Sequence, residues 1–204
     1  MGILDNNKTP LVVYDIDDIV WLLNYRIAED LGIDENRFLS TFSVKDNPLL
    51  SREERQKIIA AFADSRYFEN IQFMTGVENI LAPQQLGARV VFNSNSFSER
   101  IAELKTEQLL AAVPGLRQEQ IQMHIIHYGK THKKVLDPST TILVDDSPFN
   151  VALSPALMNV MPAWMPWSYS DEAIEQLADK PVKWCESLDD INDFVYQTVA
   201  TMTV

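Results

Sequence analysis

Residues 11–22 read LVVYDIDDIVWL. Leu11 to Tyr14 is a short, β-branched apolar run of the kind that forms a buried strand. Three carboxylates, Asp15, Asp17 and Asp18, follow within four positions, and apolar chain resumes at once. Residues two apart on an extended chain share a direction, which pairs Asp15 with Asp17 at the strand's end. Two carboxylates side by side repel, so a cation or a shared proton is required. The competing reading is a solvated acidic turn in which Asp serves as a helix cap.

Working outward, strands and helices alternate. Val20, Leu23, Ile27 and Leu31 fall at helical spacing, and Gly32 is placed to stop that helix. From Asp34 to about Ser65 the chain is polar and helix-prone, and "SREE" (Ser51 to Glu54) is a capping box. A helix is expected from Gly76 to Leu86. "ARVVFN" is a second buried strand, followed by a helix with Ser96 and Glu99 as its capping box. "IQMHIIHY" is a third strand, "TTILVD" a fourth and "VMPAW" a shorter fifth. The last helix carries Ile191, Phe194, Val195 and Val199 on one face.

This order predicts an α/β fold with a Rossmann-like parallel sheet covered on both sides. Residues 19–75 break the alternation and read as a small α-helical cap inserted after the first strand. The division expected is a core of 1–18 and 76–204 with a helical cap of 19–75. Ligands of such sheets bind outside the carboxyl ends of the strands. That rim should gather Asp15, Ser94, the Gly129–Lys130 turn and Asp145.

Asp145 and Asp146 close a second apolar strand. Alone, "DDSP" is an ordinary capped turn. Two acidic strand ends at one rim make an oxygen cage suited to Mg²⁺, a hard cation that keeps several waters. Ser94 in "VVFNSNS", with nearby backbone N–H groups, is placed to grip a phosphate oxygen; Ser96 reads better as a plain cap. Lys130 in "YGKTHKK" would neutralise a phosphate, with Lys133 and Lys134 as alternatives. His124 and His127 face opposite sides of a strand and are poor joint ligands. His132 reads as a bystander. Trp21, Phe42, Phe68, Trp164 and Trp167 read mainly as core, one or two of them as pocket lining.

Bulk properties narrow the class. The chain has 204 residues, 46% hydrophobic and 23% charged, an ordinary globular balance. No apolar run reaches the roughly 18 residues of a membrane helix. The N-terminus shows neither a secretory nor a myristoylation pattern. The lone Cys185 excludes an internal disulfide and fits a reducing, cytoplasmic setting. A net charge of −12 argues against nucleic-acid polymers as partners. A small anionic substrate held by local donors and a cation stays open.

With these clusters in this order, the chain resembles phosphatases of the haloacid dehalogenase (HAD) superfamily over most of its length. "VVYDIDD" is similar to the D-x-D motif, Ser94 to the second motif with Asn95 next, Lys130 best to the lysine, and "ILVDDS" to the paired-Asp motif. The resemblance implies a Mg²⁺-dependent phosphomonoester hydrolase. In it Asp15 is the nucleophile and Asp17 the general acid and base. Ser94, Asn95 and Lys130 bind the phosphate, and Asp15, Asp17, Asp145 and Asp146 hold the metal. A narrower resemblance, to the 5'(3')-deoxyribonucleotidase-like branch, rests on Asp145, Asp146 and Asn150 and on Pro166–Trp167, and implies a nucleoside monophosphate as substrate. Three departures stand out: Asp18 replaces a small residue, Ser94 replaces Thr, and the lysine is far from the paired Asp. The alternatives are a sugar-phosphate phosphatase or phosphomutase on the same scaffold, or a phospho-ligand binding protein without turnover.

Overall fold

The computed structural model describes residues 9–126, 136–169 and 171–203. Six parallel strands form one sheet among these residues: β1 (Leu11–Tyr14), β2 (Arg89–Ser96), β3 (Ile121–Ile125), β4 (Thr140–Val144), β5 (Met158–Pro162) and β6 (Val182–Cys185). Their order is β3-β2-β1-β4-β5-β6. Parallel neighbours cannot be joined by hairpins and need crossover connections. The α-helices among the described residues are α1 (Leu23–Leu31), α2 (Glu35–Phe38), α3 (Arg52–Phe62), α4 (Glu99–Ala112), α5 (Pro148–Leu153), α6 (Asp171–Leu177) and, after the last strand, α7 (Leu188–Met202).

The strand sequences place apolar residues on both faces. Val12, Tyr14, Val90, Phe92, Ile142, Val144 and Val160 belong to one core cluster, with Ile27, Phe38, Ile58, Ile101, Leu104 and Val195 from α1 to α4 and α7. Leu11, Val13, Val91, Leu143 and Met161 belong to a second, closed by Val151 of α5 and Leu177 of α6. The period-2 alternation of a strand produces this division. At the centre Tyr14 and Phe92 stack at 5.9 Å, a contact worth about 0.5–1.5 kcal/mol beyond area burial.

The segment between β1 and β2 contains α1, α2, α3 and a 3-10 turn at Ser65–Phe68. Gly32 ends α1 at φ 63°, and its N–H bonds back to Ala28 and Glu29. The expected capping box on α3 forms: Glu54 N–H donates to Ser51 Oγ at 3.2 Å and Ser51 N–H to Glu54 Oε2 at 2.7 Å. The two crossings between this segment and the sheet run side by side. Met74 N–H donates to Val20 O at 2.9 Å, and Trp21 bridges Phe73.

Three local expectations change. The helix expected over Gly76–Leu86 is two short 3-10 turns, Val77–Asn79 and Ala82–Leu86, because Pro83 cannot donate the i→i−4 hydrogen bond an α-helix needs. β2 runs on to Ser96, which pairs with Ile125. The following helix is therefore capped by Ser98, whose Oγ accepts from Ile101 N–H at 3.2 Å, not by Ser96. β6 was not read from sequence: "VKWC" is an edge strand with an exposed Lys183.

Gly76 marks the return to the core. Its φ is 93°, and an added Cβ would lie 2.3 Å from Asp189 Oδ1. Its carbonyl accepts from Asn192 Nδ2 at 2.8 Å. Gly76→Ala should therefore destabilise the fold by about 1–3 kcal/mol through left-handed strain and displacement of the α7 start. Urea unfolding, with the mutant midpoint below wild type at unchanged slope, checks this.

Candidate active site

The main chain continues in sheet register for one residue past two central strands. Asp15 N–H donates to Val144 O at 2.8 Å, and Asp145 N–H donates to Val160 O at 3.1 Å. Since β1 and β4 are neighbours, the first residues beyond them are adjacent. The chain moves outward from β1 through β2 to β3, then crosses back to β4, so the β1/β4 edge is the topological switch point where such sheets bind ligands.

Asp15, Asp145 and Asp146 converge there. Each offers one carboxylate oxygen within 4.8 Å of the others, and all three are buried. Two like charges at about 5 Å repel by roughly 3 kcal/mol at an effective dielectric near 20, so the trio requires compensating positive charge. Asp15 Oδ1 accepts from Ile16 N–H at 2.6 Å. Asp145 Oδ1 accepts from Ser147 N–H at 2.9 Å, and Asn150 Nδ2 reaches both Asp145 oxygens at 3.1 and 3.2 Å. These donors fix how the carboxylates are aimed. An all-carboxylate set of fixed orientation fits a hard divalent cation.

Asp17 lies outside this trio. After Asp15 the chain turns instead of running straight: Val20 N–H closes on Ile16 O at 3.0 Å, and Asp18 takes φ 58°. Asp17 Oδ2 is instead 2.5 Å from Lys105 Nζ, while its Oδ1 has no hydrogen-bond partner among the described residues. Lys105 also donates to Asn95 O at 2.8 Å and to Ser94 Oγ at 3.3 Å. Ser94 is within β2 rather than after it. Alternation places it on the face of Val90 and Phe92, where α4 covers the sheet.

Lys105 is a candidate site residue that the motifs do not point to, although its helix carries a signal. It falls on the α4 stripe of Ile101, Leu104 and Leu109, and is only 1% exposed. A lysine that deep is almost never found without a partner. Lys130, Lys133 and Lys134, like His127 and His132, lie outside the described residues.

Asp18 is buried and held by Asn24: Oδ1 accepts from Asn24 N–H at 3.0 Å, and Asn24 Nδ2 donates to Oδ2. Burial pushes its carboxyl up to about 8, opposed by the Asn24 N–H and reinforced by neighbouring Asp17. Two tryptophans after β5 brace the acidic turns. Trp164 Nε1 donates to Asp18 O and Trp167 Nε1 to Asp146 O, each at 3.1 Å.

Asp15, Asp17, Ser94, Asn95, Asp146 and Asn150 line one cavity of about 280 Å³, walled by Phe38, Phe42, Phe62, Phe149 and Trp167. Phe42 is 47% exposed and meets Trp167 edge-on at 5.7 Å. Trp21 is not part of this wall. It is buried against Phe73 at 5.5 Å and borders a separate cavity. Tyr67 and Phe68 are core residues.

No family model and no curated protein matches the chain. Solved structures do. A haloacid dehalogenase-like hydrolase from Streptococcus pneumoniae matches with a TM-score of 0.58 at 10% identity, over 92% of this chain and 98% of that one. A protein assigned as a beta-phosphoglucomutase from Bacteroides vulgatus gives 0.55 at 13%, over 96% and 90%. The D,D-heptose 1,7-bisphosphate phosphatase of B. bronchiseptica, complexed with magnesium and phosphate, gives 0.52 at 12%, over 93% and 99%. At these identities the likeness establishes an α/β fold of HAD type.

If the carboxylate trio holds the cation, replacing Asp145 and Asp146 together by Asn should weaken Mg²⁺ binding at least about 10-fold while the chain stays folded. Calorimetric titration, with circular dichroism as the folding control, checks both halves.

Proposed function

We propose that this chain is a Mg²⁺-dependent phosphomonoester hydrolase of HAD type that works through an aspartyl-phosphate on Asp15. One observation carries the reading: Asp15 and Asp146 of a buried carboxylate trio, and Asp17 paired with the buried Lys105, line one cavity at the switch point of a parallel sheet. A solvated acidic turn has no use for either. Mg²⁺ held by Asp15, Asp145 and Asp146 would offset the repulsion between a carboxylate nucleophile and a phosphate dianion.

The residues then divide the work. An Asp15 oxygen attacks phosphorus, and the bond from phosphorus to the ester oxygen breaks. Asp17 acts as general acid and delivers a proton to the leaving alcohol. Water next attacks the phosphorus of the acyl phosphate, Asp17 takes the water's proton, and Asp15 and orthophosphate are released. Ser94 Oγ and the Asn95 main chain supply the phosphate-facing donors, Lys105 adds its positive charge beside them, and positioning of this kind carries most of phosphoryl-transfer catalysis. In this reading Lys105 takes the role that the resemblance gave to Lys130.

Residues 19–75 serve as a helical cap. They contribute Phe38, Phe42 and Phe62 to the cavity wall, and lids of this kind exclude water from the reaction. The cavity lies near the lower edge of the range for small-molecule sites, roughly 300–1,000 Å³, which favours a small phosphate monoester. Its aromatic walls favour a flat leaving group, and a nucleoside 5'-monophosphate is the preferred substrate. Phe42, exposed on the cavity wall, is the stacking residue to test. The Asn150 contact with Asp145 and the Trp167 contact with Asp146 give physical roles to residues that carried the nucleotidase-like resemblance. No helix among the described residues is long and apolar enough to cross a membrane, and buried Cys185 suits a reducing cytoplasm.

Hydrolysis of an aryl phosphate with and without Mg²⁺ tests the reading. Activity should require the metal and be abolished in Asp15→Asn. Asp17→Asn should lose roughly 100- to 10,000-fold, more with alkyl than with aryl leaving groups. Folded Asp15→Asn with near wild-type turnover would overturn the assignment. In the same assays, specificity constants for thymidine and uridine monophosphates should exceed those for sugar phosphates, and Phe42→Ala should narrow the gap. Equal constants in the wild type would favour the sugar-phosphate alternative.

A further inference from the structure

Lys105 Nζ carries three hydrogens and has three oxygen partners, on Asp17, Ser94 and Asn95. Another part of its surroundings is the Phe68 ring, whose centroid is 5.1 Å from Nζ. Phe68 is 2% exposed, so ring and ammonium meet out of water, where a cation–π contact is strongest. The ring is seated by its own main chain. Gln108 Nε2 donates to Phe68 O, and Ile71 N–H donates to Gln108 Oε1 at 2.7 Å. Gln108 is three residues beyond Lys105 on α4, hence on the same helical face. One helix therefore carries both the lysine and the amide that holds the ring over it.

We propose that Phe68 and Gln108 are positioning residues for Lys105, and that through them the docking of the β1–β2 segment on α4 sets the direction of the ammonium. Asp17, Ser94 and Asn95 draw Nζ toward the cavity from the sheet side. Phe68 limits its retreat from the other side, its ring centroid 5.1 Å from Nζ. Gln108 spans Phe68 to Ile71, the stretch where the segment returns toward the sheet, so loosening that return loosens the ring. The catalytic consequence rests on the phosphatase reading; the ring–ammonium geometry does not.

The test measures both. The ε-methylene protons of Lys105, assigned by comparison with Lys105→Met, should show an upfield ring-current shift in wild type. Phe68→Leu should lose that shift, Phe68→Tyr should keep it, and Gln108→Leu should reduce it without touching the lysine. Orthophosphate affinity in the presence of Mg²⁺, and kcat/KM on an aryl phosphate, should fall roughly 2- to 30-fold in Phe68→Leu and recover in Phe68→Tyr. Gln108→Glu, which keeps an acceptor for Ile71 but loses the donor to Phe68, carries the test if Phe68→Leu does not fold. The proposal is overturned if folded Phe68→Leu or Gln108→Glu changes only the melting temperature, leaving the Lys105 shifts and orthophosphate affinity at wild-type values. Shifts that behave as expected in a protein that neither binds orthophosphate nor hydrolyses aryl phosphates uphold the positioning and overturn the phosphatase reading instead.

Discussion

Like charge held at close range is the constraint on which this structure turns. Asp15, Asp17, Asp18 and Asp146 all line one small cavity, with Asp145 buried beside them. A carboxylate placed this way is costly unless it is protonated, paired or close to a metal. The fold answers differently at each position. Asp18 is buried deeply enough to hold a proton near neutrality. Asp17 is paired with a buried ammonium. Asp15, Asp145 and Asp146 form a tight trio whose geometry fits a cation. The neighbouring apparatus, from Asn24 on Asp18 to Asn150 on Asp145 and the tryptophans on the turn carbonyls, aims these groups.

Much of this was legible in the sequence because it depends on local pattern. Apolar runs ending in Asp15 and Asp145 located β1 and β4. The parallel architecture then implied that both ends share a rim, without any knowledge of register. Ser51 with Glu54, and Gly32, were readable because caps are decided within four residues. Lys105 is hard to read from sequence because its burial beside Asp17 is set by tertiary packing. In sequence it is one charged residue in a polar-looking helix, and only its place on the stripe of Ile101, Leu104 and Leu109 distinguishes it.

Similar reasons explain the smaller differences. Asp15 and Asp17 were expected to point the same way on an extended chain, but the turn closed by Val20 and the left-handed Asp18 send Asp17 toward α4. That φ also explains why a small residue would be at ease at position 18, since left-handed backbone is least strained for glycine and tolerable for Asp. Trp21 closely follows the acidic turn in sequence, but the pairing of the two crossings packs it against Phe73 and away from the cavity. The aromatic wall comes instead from residues distant in sequence, Phe42, Phe62, Phe149 and Trp167. Their convergence is a property of the assembled fold.

The central claim is that the buried acidic rim performs phosphoryl transfer with Asp15 as the nucleophile that accepts the phosphoryl group. The most direct measurement is borohydride trapping during turnover of an aryl phosphate in Mg²⁺, followed by peptide mass spectrometry. An aspartyl-phosphate is reduced to homoserine, so the account predicts homoserine at position 15 and aspartate retained at positions 17, 18, 145 and 146. Homoserine at another of these positions, or none at position 15 under conditions of sustained turnover, would contradict it.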